Sequence, residues 1–524
     1  MEKIGGYRMK NHRMNIKLIL KGRFVNKKIF LVFCLVLAIT PILASQGVIY
    51  IPRQLTDNDF RDNLNGMDGR MCVWHAAEGD ENENLEIFVY DKVTDTITQI
   101  TDNTYEDRIP KIHNGLITWL GKPDGPTSDF EIFLYRVHTQ QTIQITDNEL
   151  NENHPRVQDG YVTWYAWEGI YMGLAEIYLY TVATGETLRI THNGVSDYLP
   201  KVKDGYILWH GSSGYDQEIF LYDISAQTTM QITDNLYNDD SPGLSNGLIA
   251  WRALVNGKIQ LFLYDIATTE TLMVAEPRYS WSWSFHNGLI AYAGHDGTNK
   301  ELYLYNHFER TTYKLTENMY SDIGSICIQN GKIIFDANGG MAGIDRELFL
   351  YDTATDILTQ LTDNSFNDYA PMYNDGFLAW MGMEGNPADA EIYLLNLAIT
   401  TTVDVNPDTL NLKSNGEWIT VYIELPEGYD VEAINIASLQ LTLEGQSFIV
   451  DMNAPSTVND YDGDMIPDLM VNFNRAELVT YLGVENYYIE IIDENSLVEF
   501  LITGTVTGTP FEGSDWIRVI RPGK

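Results

Sequence analysis

The stretch EIFLYDISAQTTMQITDN (Glu218–Asn235) decides how the chain is built, because it returns almost unchanged along the sequence. EIFVYDKVTDTITQITDN begins at Glu86, EIFLYRVHTQQTIQITDN at Glu131 and ELFLYDTATDILTQLTDN at Glu347. The leading element, E-[IL]-[FY]-L-Y in its commonest form, starts at Glu86, Glu131, Glu176, Glu218, Gln260, Glu301, Glu347 and Glu391, in steps of 45, 45, 42, 42, 41, 46 and 44 residues. Each unit also holds an Asn-Gly or Asp-Gly pair, from Asp68-Gly69 to Asp375-Gly376. A short apolar run follows each pair and ends at Trp74, Trp119, Trp164, Trp209, Trp251, Tyr292, Phe335 or Trp380.

Asn-Gly and Asp-Gly between apolar runs mark two-residue hairpin turns, whose central residues both need positive φ. A period in the low forties is the length of one four-stranded propeller blade. The second unit then reads as strand A (Arg108 to His113), a tight turn, strand B (Leu116 to Leu120), a variable loop, strand C (Glu131 to Tyr135) and strand D (Thr142 to Thr146). Strands A, B and C occur eight times, but no I-T-D-N follows the last C. An orphan D, Arg53 to Thr56 in RQLTDN, precedes the first A. Residues 48–56 are therefore expected to pair with Glu391 to Leu395 and close the ring, removing two exposed edges. The reading is all-β, an eight-bladed β-propeller over residues 48–397.

The recurring E-I-F-L-Y, the I-T-D-N and the proline before or within strand A (Pro110, Pro155, Pro200, Pro242, Pro371) resemble the TolB-like propeller repeats, relatives of WD-type blades. That resemblance implies a periplasmic or surface protein that binds other proteins, and sibling propellers carry enzymes.

Residues 1–28 hold nine basic side chains and one acid, and an apolar run from Ile29 to Leu43 follows, broken by Thr40 and Pro41. Residues 1–45 are read as a secretory signal peptide or an N-terminal membrane anchor, so the bulk of the chain is expected to be exported to the periplasm, cell surface or exterior. Beyond residue 28, 25 basic residues face 72 acidic ones, which repels nucleic acid and anionic lipid and favours cations or basic partners. Membrane contact is expected through the N-terminal segment alone, and the chain is expected to be a monomer. Cys72 and Cys327 are expected to be free thiols.

The B-to-C and D-to-A connections are long and share one end of the blades, which makes that end the candidate binding face. Acids recur there five positions apart: Asp57 with Asp62, Asp102 with Asp107, Asp147 with Glu152, Asp234 with Asp239, Glu317 with Asp322 and Asp363 with Asp368, with His192 and Asp197 as a variant. They serve either as caps for loop N–H groups or as a cation- or partner-binding rim. Trp167, Tyr171, Trp281 and Trp283 lie in or beside the long loops and are candidates for stacking on a sugar or anchoring a peptide.

From Thr401 to Lys524 the texture changes to alternating strands, with a short helix expected from Arg475 to Leu482, capped by Asn474. The expectation is an Ig-like β-sandwich. Its motif DYDGDMIPDLMV places Asp460, Asp462, Asp464 and Asp468 at loop positions 1, 3, 5 and 9, a pattern suited to Ca2+. It resembles the calcium loops of EF-hand, dockerin and FG-GAP repeats, with Met465 where those loops have Gly and Val471 where they have Glu. No G-x-S-x-G, H-E-x-x-H or phosphate-binding glycine loop appears. The functional expectation is a non-enzymatic scaffold recognising a protein or carbohydrate ligand. The alternative is a polysaccharide lyase or glycosidase with acidic residues in the channel.

Overall fold

Alternation of buried and exposed side chains over short runs forces this chain into strands, and nearly every run pairs with its sequence neighbour. The computed structural model describes residues 52–520, except 59–60, 78–83, 93, 124–128, 169–172, 213–215, 279–281, 298, 318–321, 339–344, 375, 384–389, 427–428, 444–445, 465, 484–495 and 507–508. The leader expected over residues 1–45 lies outside the described residues, as do Tyr171, Trp281 and Met465.

Eight four-stranded antiparallel sheets follow one another, each in the order A-B-C-D. In blade 2 these are Asp107–His113, Leu116–Gly121, Glu131–Arg136 and Gln141–Gln144. The tight turns behave as their sequence demands: Asn114 and Gly115 have φ of 47° and 67°, and five further pairs repeat the double positive φ. The innermost A strands contact one another in series around the ring, and Asn367–Asn374 of blade 8 contacts Asp62–Asp68 of blade 1.

Closure is as expected, with a shorter strand. Arg53–Gln54 pairs antiparallel with Tyr393 and Leu394 of blade 8. Two further bonds extend it, Leu55 N to the Ile392 carbonyl at 2.7 Å and Ile392 N to Thr56 Oγ1 at 2.9 Å.

Between blades, the B-strand aromatics form the core. Trp74, Trp119, Trp164, Trp209, Trp251 and Trp380 are all fully buried. Each stacks on the aromatic paired with it on strand C, as Trp119 does on Phe133 at 5.5 Å. Cys72 and Cys327 are free, the first buried and the second half-buried.

The C-terminal module is two sheets over a common core. One contains Gln440–Leu443, Ser496–Val506 and Thr509–Ile520, the other Thr402–Asn406, Trp418–Glu424 and Asp468–Asn474. Leu441, Phe500, Ile517, Val421, Val471 and Phe473 from both sheets are buried together. The helix Arg475–Gly483 starts where expected, with Asn474 Oδ1 accepting the Ala476 N–H at 2.9 Å. The sequence also leads to the expectation of a strand over residues 486–492, which lie outside the described residues.

Candidate functional site

The acid pairs of the long-loop end separate into two populations. Asp102, Asp147, Asp234 and Asp363 are exposed on the D-to-A loops. Their partners five residues on are buried and build one repeated corner. In blade 2, Asp107 Oδ1 accepts the Trp119 indole N–H at 2.8 Å and Oδ2 accepts from Asn103 Nδ2 at 2.6 Å. Glu86 of the previous blade accepts the Asn103 N–H at 2.9 Å, and Thr101 Oγ1 accepts the Ile87 N–H at 2.8 Å. Asp197 with Trp209, Asp239 with Trp251 and Asp368 with Trp380 repeat the indole bond at 2.8, 3.0 and 2.7 Å. Gly121 is required beside this corner, since a Cβ there would occupy the place of Asp107 Oδ1. Blade 3 has Glu152 at this position, one methylene longer, and there the Trp164 indole N–H has no partner.

Burial governs the ionisation of these corners. It pushes Asp107, Asp197 and Asp368 up to about 6, Asp62 to about 7 and Glu152 to about 8. Asp322 begins strand A of blade 7. Trp167 ends strand B of blade 3 and packs edge-on to Tyr165 at 6.0 Å and tilted against Tyr198 at 5.5 Å. Trp283 begins strand A of blade 6, half-buried.

The chemistry missing from the sequence reading lies on the inner strands. Ile109, His154, Leu199, Ser241 and Ala370, each preceding the strand-A proline, have φ between 50° and 55°. The pairing register of strands A and B shifts at the same place in each blade. A β-branched residue such as Ile109 in this region costs about 1–3 kcal/mol, so these bulges are built features, of the kind that re-aim the next side chain.

In blades 2, 3 and 4 that next side chain is a base: Lys111, Arg156 and Lys201. Lys111 Nζ donates to the Asn65 carbonyl of blade 1, and Lys201 Nζ to the Pro242 carbonyl of blade 5 at 2.9 Å. Arg156, between them, has Nη1 buried without a hydrogen-bond partner. Among the described residues no carboxylate pairs with any of the three. Lys111 and Arg156 are half-buried and Lys201 keeps an exposed surface; the protein crowded around them, followed by repulsion from Arg156, pushes Lys111 down to about 7 and Lys201 to about 8. His75 and His154 sit in the same field and fall to about 4, through burial first and then the neighbouring cations. A signal for this group existed in the Pro110-Lys111, Pro155-Arg156 and Pro200-Lys201 dipeptides of three successive repeats.

Two clefts open at the same end. One of about 680 Å³ is lined by Tyr198, Asp216, Asn238 and Asp240. The other, of about 860 Å³, is lined by Trp283, Asp336, Arg346 and Tyr369. Asp240 is held by Arg252, and Asp336 by Arg346.

In the C-terminal loop, Asp460, Asp462 and Asp468 bring carboxylate oxygens within 4.8 Å of one another, and Glu424, Asp462 and Asp464 do the same. These acidic groups could hold a metal ion. Glu424, 36 residues before the motif, stands opposite Asp468 in the sheet and supplies an acid that the motif lacks at its twelfth position. Burial and then Asp464, Asp468 and Asp462 hold the Glu424 carboxyl above its usual value.

The eight four-stranded sheets give the fold, and solved structures resemble it only distantly. Residues covering 72% of the chain match dipeptidyl peptidase 4 of Porphyromonas gingivalis with a TM-score of 0.47 and 10% identity, over 66% of that chain. Oligogalacturonate lyase of Vibrio parahaemolyticus matches with a TM-score of 0.44 and 10% identity, over 67% of this chain and 95% of that one. The propeller domain of the Trilobed protease of Pyrococcus furiosus matches with a TM-score of 0.41 and 11% identity, over 59% and 97%. The chain is a β-propeller protein. No family model matches the sequence, and no curated protein matches it. The propeller resemblance drawn from the repeats is borne out. The expectation of a non-enzymatic scaffold is corrected, because these structural neighbours are enzymes or an enzyme's propeller. Likeness at this identity gives the fold and leaves substrate and activity to this chain's own residues.

Proposed function

We propose that the protein is a polysaccharide lyase acting on a uronate-containing chain, with the channel bases as its working groups. One observation carries the reading: Lys111, Arg156 and Lys201 project from adjacent inner strands with no carboxylate partner among the described residues. Clustered like charges without a counter-ion repel one another, and an anionic ligand would supply the pairing. Arg156 and Lys201 would bind the uronate carboxylate and make its α-proton more acidic. Lys111, held near 7, is partly free amine at neutral pH and would take that proton. The electron pair then forms the C4–C5 double bond, the C4–O bond breaks, and the leaving oxygen takes a proton from channel water.

A glycosidase would need two carboxylates at a defined separation. The buried acids Asp107, Asp197, Asp239 and Asp368 are instead committed to tryptophan corners, and the cleft acids Asp240 and Asp336 are held by Arg252 and Arg346. The test is incubation with polygalacturonate, alginate and a neutral glucan, following ultraviolet absorbance of the unsaturated product. Absorbance from a uronate polymer that disappears in Arg156→Ala supports the reading. New reducing ends from the neutral glucan without absorbance contradict it.

For the C-terminal loop the proposed ion is Ca2+, since every donor is a hard oxygen and the loop curls tightly at Gly463, φ 86°. Its role is to stiffen the module. Calcium that leaves the melting temperature of the full chain unchanged would contradict it.

A further inference from the structure

The tight-turn end of the propeller, opposite the long loops, is covered over blades 1, 2 and 8 by the face of the C-terminal sheet that carries Glu499, Glu512 and Trp516. Between the two lies a cavity of about 450 Å³. That volume falls inside the roughly 300–1,000 Å³ of small-molecule pockets, which favour domain interfaces.

The charges on the cavity wall are already engaged, Asp68 by the Asn114 N–H and the buried Arg136 by its own surroundings. Arg70 bonds both Glu499 and Asp91, and Lys92 bonds Glu512, so ion pairs bridge the two bodies and close the sides. An ionic ligand would have to break a pair to find a partner, which selects against charge. Over this neutral space stands Trp516, with 53% of its surface bare while six propeller tryptophans are fully buried. An indole left open on a rigid strand is a flat apolar platform with low ordering cost. Around it Gln440, Thr442 and Asn374 offer amide and hydroxyl groups at the cavity wall. A flat aromatic ring bordered by neutral planar polar groups matches a pyranose, which has an apolar C–H face and an equatorial rim of hydroxyls.

We infer that this interface cavity is a binding site for a neutral sugar unit, stacked on Trp516 and separate from the channel. It does not rest on the lyase reading, since its ligand is uncharged and its residues lie at the other end of the blades.

The experiment is titration of the full chain with cellotetraose, xylotetraose, maltotetraose and mannotetraose, read by tryptophan fluorescence and calorimetry. The inference expects saturable binding of at least one of these, weakened at least tenfold in Trp516→Ala and in Ser447→Trp, a second variant that fills the cavity from an exposed position. Arg156→Ala should leave that binding unchanged. No binding by any of the four overturns the inference. So does binding insensitive to both cavity variants, or binding lost in Arg156→Ala.

Discussion

Two sets of ionisable groups lie a few residues apart on the same inner strands, and their surroundings differ in kind. At one end of each strand A, a carboxylate such as Asp107 is saturated with donors: an indole, an asparagine amide and a loop held by Glu86. At mid-strand, Lys111, Arg156 and Lys201 have at most a carbonyl for company. Satisfied polar groups hold folds together; clustered charges without a counter-ion mark places where something else is expected to bind. Position in the blade, rather than residue type or burial, separates structure from chemistry here.

The comparison can be broken at its structural side first. Trp119→Ala should destabilise the propeller by about 3–5 kcal/mol in urea unfolding, because it removes a fully buried indole. Asp107→Ala should cost about 1–3 kcal/mol by leaving the indole and the Asn103 amide without an acceptor. Thr56→Val, at the ring closure, should cost about 0.5–1.5 kcal/mol through the lost Ile392 bond. Arg156→Met, on the functional side, should stabilise by about 1 kcal/mol, since it removes an uncompensated charge. Destabilisation in that variant would mean that the cations belong to the structural set.

Proton linkage separates the two sets again. The corner carboxyls are raised in the fold to between about 6 and about 8, so their stabilisation is complete below the ordinary carboxylate range near ~4 and is lost as pH rises through the folded values. Lys111 and Lys201 are depressed, so their contribution is complete above the ordinary lysine value near ~10 and is lost as pH falls toward 7. His75 and His154, depressed to about 4, oppose the carboxyls between ~6.5 and 4, and the more numerous carboxyls outweigh them. Unfolding free energy should therefore pass through a minimum near neutral pH, and Arg156→Met should flatten its alkaline side. A monotonic profile would contradict this assignment.

What the sequence displays follows the same division. Blade phasing, the Asn-Gly turns, the indole core and the closing strand are written in local patterns repeated eight times, so noise in one copy is corrected by the others. The role of Asp107 was open, because an acid twelve residues before a tryptophan looks the same whether it faces water or an indole. Glu424 was invisible for a different reason: only strand register carries it to Asp468. The channel bases sat in plain view after the prolines, yet a lysine in a strand reads as an isolated surface charge until neighbouring blades are seen to bring a second and a third base beside it.

The central claim is that Lys111, Arg156 and Lys201 are left without a carboxylate partner among the described residues in order to hold an anion. It is tested most directly by titrating wild-type protein and Arg156→Met with trigalacturonate at low and moderate salt. The account predicts saturable, salt-sensitive binding that weakens at least tenfold in a variant at least as stable as wild type. Equal affinity in the two proteins, or no binding to either, would contradict it.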